Sequence, residues 1–153
     1  FALPSNSCPS APLLQDAVEQ HFEHGTMIWI KGKWAEWVSE GNWVLVLYDD
    51  DLANPKWEAY PDEWQTGDPD HDPTLAPPSD LYQPVRGFGL VWRENPNVRD
   101  RLGWAVDEET SYDTVIQHTQ MFKYNSVYVR ALDGNVWHLL AERSGWEKIL
   151  VED

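Results

Sequence analysis

The chain has 153 residues, which is enough for one domain or for two very small domains packed together. Its 26 acidic residues outnumber 11 basic ones, and the formal net charge of −15 disfavours nucleic acid and anionic membrane surfaces as partners. No run of about eighteen apolar residues occurs, so the sequence predicts no membrane span. Metal cations, cationic polymers and neutral glycans remain compatible with this charge.

Aromatic residues are unusually numerous, with ten Trp, six Tyr and four Phe. Each ring buries a large area, and Trp and Tyr also carry a polar edge that needs a hydrogen-bond partner. Because these rings exceed what a core of this size requires, we expect some of them to be displayed on a stacking or adhesive surface. The alternative is an aromatic core.

The first thirteen residues, FALPSNSCPSAPL, are typical of a linker, because small residues and prolines precede any periodic pattern. Cys8 lies in this linker and has no second cysteine with which to form an internal disulfide. The chain begins at Phe1 without a leader, which we interpret as a removed signal peptide or a cut from a longer protein. An extracytoplasmic location is therefore expected.

A first β-rich unit is predicted over residues 17–62. Leu14–Phe22 is interpreted as a short helix or an extended arm that leads into it. Glycine-containing turns separate short aromatic and β-branched runs, a pattern that favours an antiparallel meander. These runs lie at Met27–Ile30, Trp34–Val38, Trp43–Tyr48 and Trp57–Tyr60.

Residues 63–111 are predicted to form a connector. Its first part is rich in Pro and Asp and has no periodicity, which indicates a loop, and ordered loops of this length are often functional. Farther on, Asn95 as a cap, Pro96 at the first helical position and Gly103 as a stop predict one short helix.

The sequence also indicates an internal duplication, with a second β-rich unit over residues 112–151. Three landmarks recur in the same order: FEHGTMIW from Phe22 and FKYNSVYV from Phe122, GNWVLVL from Gly41 and GNVWHLL from Gly134, WEAY from Trp57 and WEKI from Trp146. A lone three-stranded unit is marginal in water. We therefore predict a mainly β single domain over residues 14–153, in which two three-stranded antiparallel units share a core.

The second unit resembles the LGFP repeat, a short β-rich module of secreted and cell-wall-associated bacterial proteins. The residues that fit its pattern are Leu102, Gly103, Trp104, Glu108, Phe122, Val127 and Tyr128. Ala105 stands where the family has proline, and Asn125 where it has glycine. The resemblance implies association with an envelope or extracellular polymer at a bacterial cell surface, without chemistry of its own and often beside a catalytic domain.

One acidic segment is a candidate metal site. Asp68, Asp70 and Asp72 alternate as at the start of a calcium loop, but Pro73 and Ser79 occupy the positions where an EF-hand requires Gly and Glu. A looser Ca²⁺ site and a solvated acidic loop stay open as alternatives. No other cofactor is predicted.

The aromatic residues supply the candidate binding site. Trp34 and Trp37 lie in KGKWAEWVSEG, an insertion that the second unit lacks, and such insertions map to loops that often bind. They could stack on sugar rings, pack on a neighbouring subunit or fill the core. The remaining candidate contact residues are Trp92, Trp104 and Tyr128.

No nucleophile elbow, phosphate loop or dinucleotide fingerprint is present. The leading hypothesis is a non-catalytic extracellular module for attachment or assembly, which binds either polysaccharide or other protein subunits. The alternative is a small glycan-active hydrolase with paired carboxylates.

Overall fold

The computed structural model describes residues 12–35, 37–50, 55–119, 126–140 and 145–151. Cys8, most of the predicted linker, and Phe122 and Asn125 of the repeat lie outside the described residues. The strands are β1 (Leu13–Phe22), β2 (Gly25–Ile30), β3 (Trp43–Tyr48), β4 (Trp57–Pro61), β5 (Thr110–Thr119), β6 (Ser126–Arg130), β7 (Val136–Leu139) and β8 (Trp146–Ile149). The helices are α1 (Arg86–Glu94) and α2 (Pro96–Leu102).

The eight strands of the described ranges belong to one antiparallel sheet, in the order β4-β3-β2-β1-β5-β6-β7-β8. The prediction of a mainly β fold is confirmed, and each unit has four strands where three were expected. The added strands are β1 and β5, which pair with each other and join the two units into one sheet. Neither helix in the described part of the chain is long and apolar enough to cross a bilayer.

The sheet curls into a nearly closed barrel whose interior is filled from both units. At the seam between β4 and β8, two indoles close the gap in a reciprocal way. Trp57 Nε1 donates to the carbonyl of Leu140, and Trp146 Nε1 donates to the carbonyl of Tyr48, each at 3.0 Å. These tryptophans begin the two matched segments WEAY and WEKI, so equivalent positions of the two units form the seam.

Helices α1 and α2 cover the outer face of the first unit. Val44 and Val46 of β3 pack outward against Val91 and Trp92 of α1, whereas Leu45 points into the barrel. Strands buried on both faces carry continuous apolar runs, which explains the sequence WVLVLY. Helix α2 begins at Pro96 and ends before Gly103 as predicted.

Helix α1 was not predicted, because RGFGLVWRE contains two glycines that indicate a loop. The structure shows why glycine occupies both positions: a side chain at either one would come too close to a neighbouring atom. A Cβ on Gly87 would lie 2.8 Å from a carboxylate oxygen of Asp62, and a Cβ on Gly89 would lie 2.6 Å from the carbonyl oxygen of Pro84. The glycines therefore let α1 approach β4 and the connector closely.

A buried arginine anchors α2 to the first unit. The Arg101 guanidinium binds both carboxylate oxygens of Asp50, at 2.6 and 2.7 Å, and donates to the Pro55 carbonyl. It also stacks over the Tyr48 ring, with 3.6 Å from Cζ to the ring centroid. The planar fork and the stack together suit arginine and no other cation.

A histidine held between two carboxylates ties the connector to the barrel. His21 Nδ1 lies 2.6 Å from Asp107 and Nε2 lies 2.8 Å from Glu19. Glu19, only 2% exposed, also accepts from Trp137 Nε1 at 3.1 Å. The hydrogen bond to Glu19 raises the pKa of His21 to about 9, burial opposes this, and Asp107 adds to it. This Glu19–His21–Asp107 triad thus links both units and the connector.

Candidate functional site

Most of the predicted aromatic site residues lie in the interior. Trp34 is buried inside the barrel, with ring edges against Trp37, Trp43 and Trp57 at centroid distances of 5.8 to 6.2 Å. Its indole nitrogen is sealed from solvent and has no hydrogen-bond acceptor among the described residues. Trp37 is 39% exposed and packs against His118.

The other three candidates belong mainly to packed clusters. Trp92 lies on the buried face of α1 and donates to the Gly103 carbonyl at 2.9 Å, and the half-buried Trp104 packs on it. Tyr128 is buried and stacks on His138. Trp34, Trp92 and Tyr128 are therefore not displayed on the surface, in agreement with the alternative of an aromatic core, and their part in binding stays a prediction. The burial of these rings stabilises the apolar packing on both faces of the sheet.

The alternating aspartates stabilise their own loop. Asp68 accepts a hydrogen bond from the backbone N–H of Gln65, and Asp72 accepts two from Thr74, which lower the pKa of Asp72. The Asp70 carbonyl accepts from the backbone N–H of Arg86. Within the described ranges, no group of three or more His, Cys, Asp or Glu side chains is placed to hold a metal ion. The Ca²⁺ site stays a prediction.

The strongest candidate site is a cleft between the sheet, the connector and the start of α1. This Trp29–Trp64 groove has a volume of about 320 Å³, close to the lower limit of ligand sites. It is lined by Val18, Trp29, Asp62, Trp64, Val85, Arg86, Gly87, Phe88, Glu109 and Ser111. A larger depression of about 670 Å³ lies beside Lys31, but no aromatic ring lines it. The groove combines aromatic and charged groups, so we favour it over the larger depression.

Asp62 contacts both tryptophans of the groove, Trp29 through its indole and Trp64 through its backbone. One carboxylate oxygen accepts from Trp29 Nε1 at 2.8 Å, and the other accepts from the backbone N–H of Trp64 at 3.1 Å. The same carboxylate lies against Gly87 at the start of α1, where no side chain fits. One side chain at the end of β4 therefore fixes an aromatic residue of β2, one of the connector and the approach of the helix.

An ion pair forms another part of the groove lining. Arg86 donates to Glu109 at 2.7 Å, and burial raises the pKa of Glu109 although Arg86 acts in the opposite direction. The backbone of Arg86 has a φ of 52°, a left-handed conformation that is costly for a residue with a side chain. The hydrogen bond from its N–H to the Asp70 carbonyl holds this conformation.

The Pro- and Asp-rich connector is an ordered wall of the groove. Gln83 links two parts of the connector. Its side-chain amide accepts from the Asp72 N–H and donates to the carbonyls of Asp72 and Leu75. Trp64 Nε1 donates to the Pro69 carbonyl at 3.1 Å. The ring of Trp64 is thus oriented from both ends, by Asp62 at its backbone and by Pro69 at its indole.

Sequence reasoning missed all the groove residues. Trp29, Asp62, Arg86 and Glu109 lie far apart in the chain, and the pairing of β2, β3 and β4 and the start of α1 bring them together. The only signal available in the sequence was the expectation that an ordered loop of this length is functional. That loop does contribute Trp64.

Comparison of the chain with protein-family models, with curated proteins and with solved structures gives no significant match. The resemblance to the LGFP repeat therefore stays a prediction.

Proposed function

We propose that this protein is a non-catalytic β module that binds carbohydrate in the Trp29–Trp64 groove. The observation that carries the proposal is that two indoles are held in place at one cleft: Asp62 accepts from the Trp29 indole and from the Trp64 backbone, and the Pro69 carbonyl accepts from the Trp64 indole. Rings fixed in advance lose little entropy when a ligand stacks on them. A structural role alone would not require both rings to remain half-exposed.

The polar lining of the groove suits sugar hydroxyl groups. Glu109 offers carboxylate acceptors, the exposed Arg86 guanidinium offers donors, and Ser111 offers a hydroxyl that can do both. Sugar rings present C–H groups on their faces and hydroxyl groups at their edges. A few placed polar groups beside apolar walls are the general pattern of small-ligand sites.

The groove favours binding over hydrolysis because Asp62 is committed to structure. A glycosidase needs two free carboxyl groups, about 5 to 10 Å apart, one of which attacks or activates water. Both oxygens of Asp62 already accept hydrogen bonds from Trp29 and Trp64. The raised pKa of Glu109 is the observation that favours the alternative hydrolase, since a glycosidase acid requires such a shift.

Binding to a panel of soluble oligosaccharides by calorimetry tests the proposal. Trp64→Ala removes one ring and should weaken binding about two- to tenfold, because ring contacts contribute about 0.5–1.5 kcal/mol beyond area burial. Trp37→Ala is the matched control, since Trp37 is exposed but lies outside the groove. Equal affinity of the Trp64→Ala variant and the unaltered protein would overturn the assignment. Turnover of any oligosaccharide that Glu109→Gln abolishes would establish the hydrolase instead.

We also propose an extracellular role in attachment at a bacterial cell surface, supported by the acidity of the chain and by the resemblance to the LGFP repeat. Assembly with other subunits is the second candidate, favoured by apolar side chains exposed near the start of β1. Leu14 is 74% exposed, and Leu13 and Trp37 are also exposed. Light scattering should then show oligomers that Leu14→Glu dissociates, and a monomer at all concentrations would refute it.

A further inference from the structure

The Asp62 carboxylate has no cationic partner among the described residues. Its two hydrogen bonds come from uncharged N–H groups of Trp29 and Trp64, and no ion pair involves Asp62 within the described ranges. Arg86, the basic residue in the groove lining, is paired with Glu109 instead. The start of α1 beside Gly87 supplies only a partial positive charge.

The surroundings of this carboxylate suit a cationic group. Each oxygen of Asp62 accepts one hydrogen bond and retains a second acceptor direction. The groove lining beside Asp62 includes the indoles of Trp29 and Trp64, which offer apolar surface for a sugar ring. The net charge of −15 adds a field that draws cations toward the surface.

We infer that the Trp29–Trp64 groove prefers glycans that carry free amino groups, with an ammonium group bound at Asp62 and the sugar ring against the indoles. This inference rests on the proposed function, since it names the class of carbohydrate that the groove takes. A lysine side chain also carries an ammonium group that could bind Asp62. A lysine-rich peptide, however, has no sugar ring to stack on the indoles, so we expect it to bind more weakly than an amino sugar.

The direct test compares two ligands on the unaltered protein: a glucosamine oligomer and its N-acetylated counterpart of equal length. Calorimetry at about pH 5.5 keeps both a sugar amine and an ordinary carboxylate charged. The amine form should bind about tenfold more tightly, and added salt should shrink the difference. Equal binding of both forms would overturn the inference and leave the proposed function intact, whereas binding of neither would overturn the proposed function.

Two further comparisons isolate the carboxylate and the sugar ring. Asp62→Asn should abolish the preference between the two oligomers, while Asp113→Asn, the same charge change at an exposed site on β5, should keep it. If Asp113→Asn also lost the preference for the amine oligomer, the preference would come from the overall negative charge of the protein, and the assignment to Asp62 would be overturned. A lysine oligopeptide that displaces the amine oligomer at equal concentration would likewise overturn a carbohydrate-specific site.

Discussion

The Glu19–His21–Asp107 triad makes stability depend on pH in the alkaline range. Both ring nitrogens of His21 face carboxylates, so both must carry protons, and the folded protein holds the imidazolium up to a pKa of about 9. The ordinary value in an unfolded chain is about 6.5. The stabilisation is therefore complete below about pH 6.5 and is lost as the pH rises through about 9.

The size of this effect follows from the pKa difference and the exposure of the groups. At ~1.36 kcal/mol for each pKa unit, the difference gives an upper limit of roughly 3.4 kcal/mol. His21 is 39% exposed and Asp107 is 44% exposed, so solvent screening reduces the contribution, and we expect about 1.5 kcal/mol. For a chain of this size, that corresponds to about 3–6 °C in Tm.

The assay is urea unfolding at a series of pH values between 6 and 10, with tryptophan fluorescence as the signal. His21→Gln should lower stability at pH 6 by about 1.5 kcal/mol, and its stability curve should meet that of the unaltered protein near pH 10. His24→Gln, on the same hairpin and outside the carboxylate pair, serves as the control. A constant gap between the His21→Gln and unaltered curves across this range would refute the reasoning. An NMR midpoint of the His21 ring near 6.5 would do the same.

Other contacts give predictions that denaturant unfolding can check. Trp57→Phe or Trp146→Phe leaves a seam carbonyl without its donor and should cost about 1–2 kcal/mol each, and a change below about 0.3 kcal/mol would show that the seam bonds do not contribute. Arg101→Lys keeps the charge but loses the two-pronged contact and the stack, so we expect a loss of about 2 kcal/mol, and unchanged stability would contradict this. Gly25→Ala would place a Cβ 2.1 Å from the Leu47 carbonyl oxygen and should cost about 2–3 kcal/mol, with a shifted β2–β3 pairing visible by NMR.

The sequence predicted those strands whose apolar content is concentrated. β2 and β3 are buried on both faces, and their short apolar runs, rich in β-branched and aromatic residues and bounded by turn residues, favour strands over helices. β1 was predicted less well, because Leu14, Ala17, Val18 and Phe22 follow a helix-like spacing. Its buried polar residue Glu19 breaks the alternation of a half-buried strand, and its hydrogen bonds with His21 and Trp137 explain that burial.

The candidate site was beyond sequence reasoning for a different reason. Tryptophan content indicated stacking, but exposure depends on which neighbours cover each ring, and a single sequence does not carry that information. Trp34 looked displayed because it lies in an insertion, and it packs inside the barrel instead. Trp64, in a segment without periodicity, lines the groove, because Asp62 and Pro69 hold it there.

The seam has a mechanical consequence. A barrel closed by a backbone ladder resists opening along a whole strand, whereas among the residues that the structure describes two indole–carbonyl hydrogen bonds join the edges of this seam. Each can release by a rotation of one side chain, without unravelling a strand. Under mechanical load, the sheet should therefore separate first between β4 and β8, with the β1–β5 pair as the hinge. Both units should stay folded and close again when the load is removed.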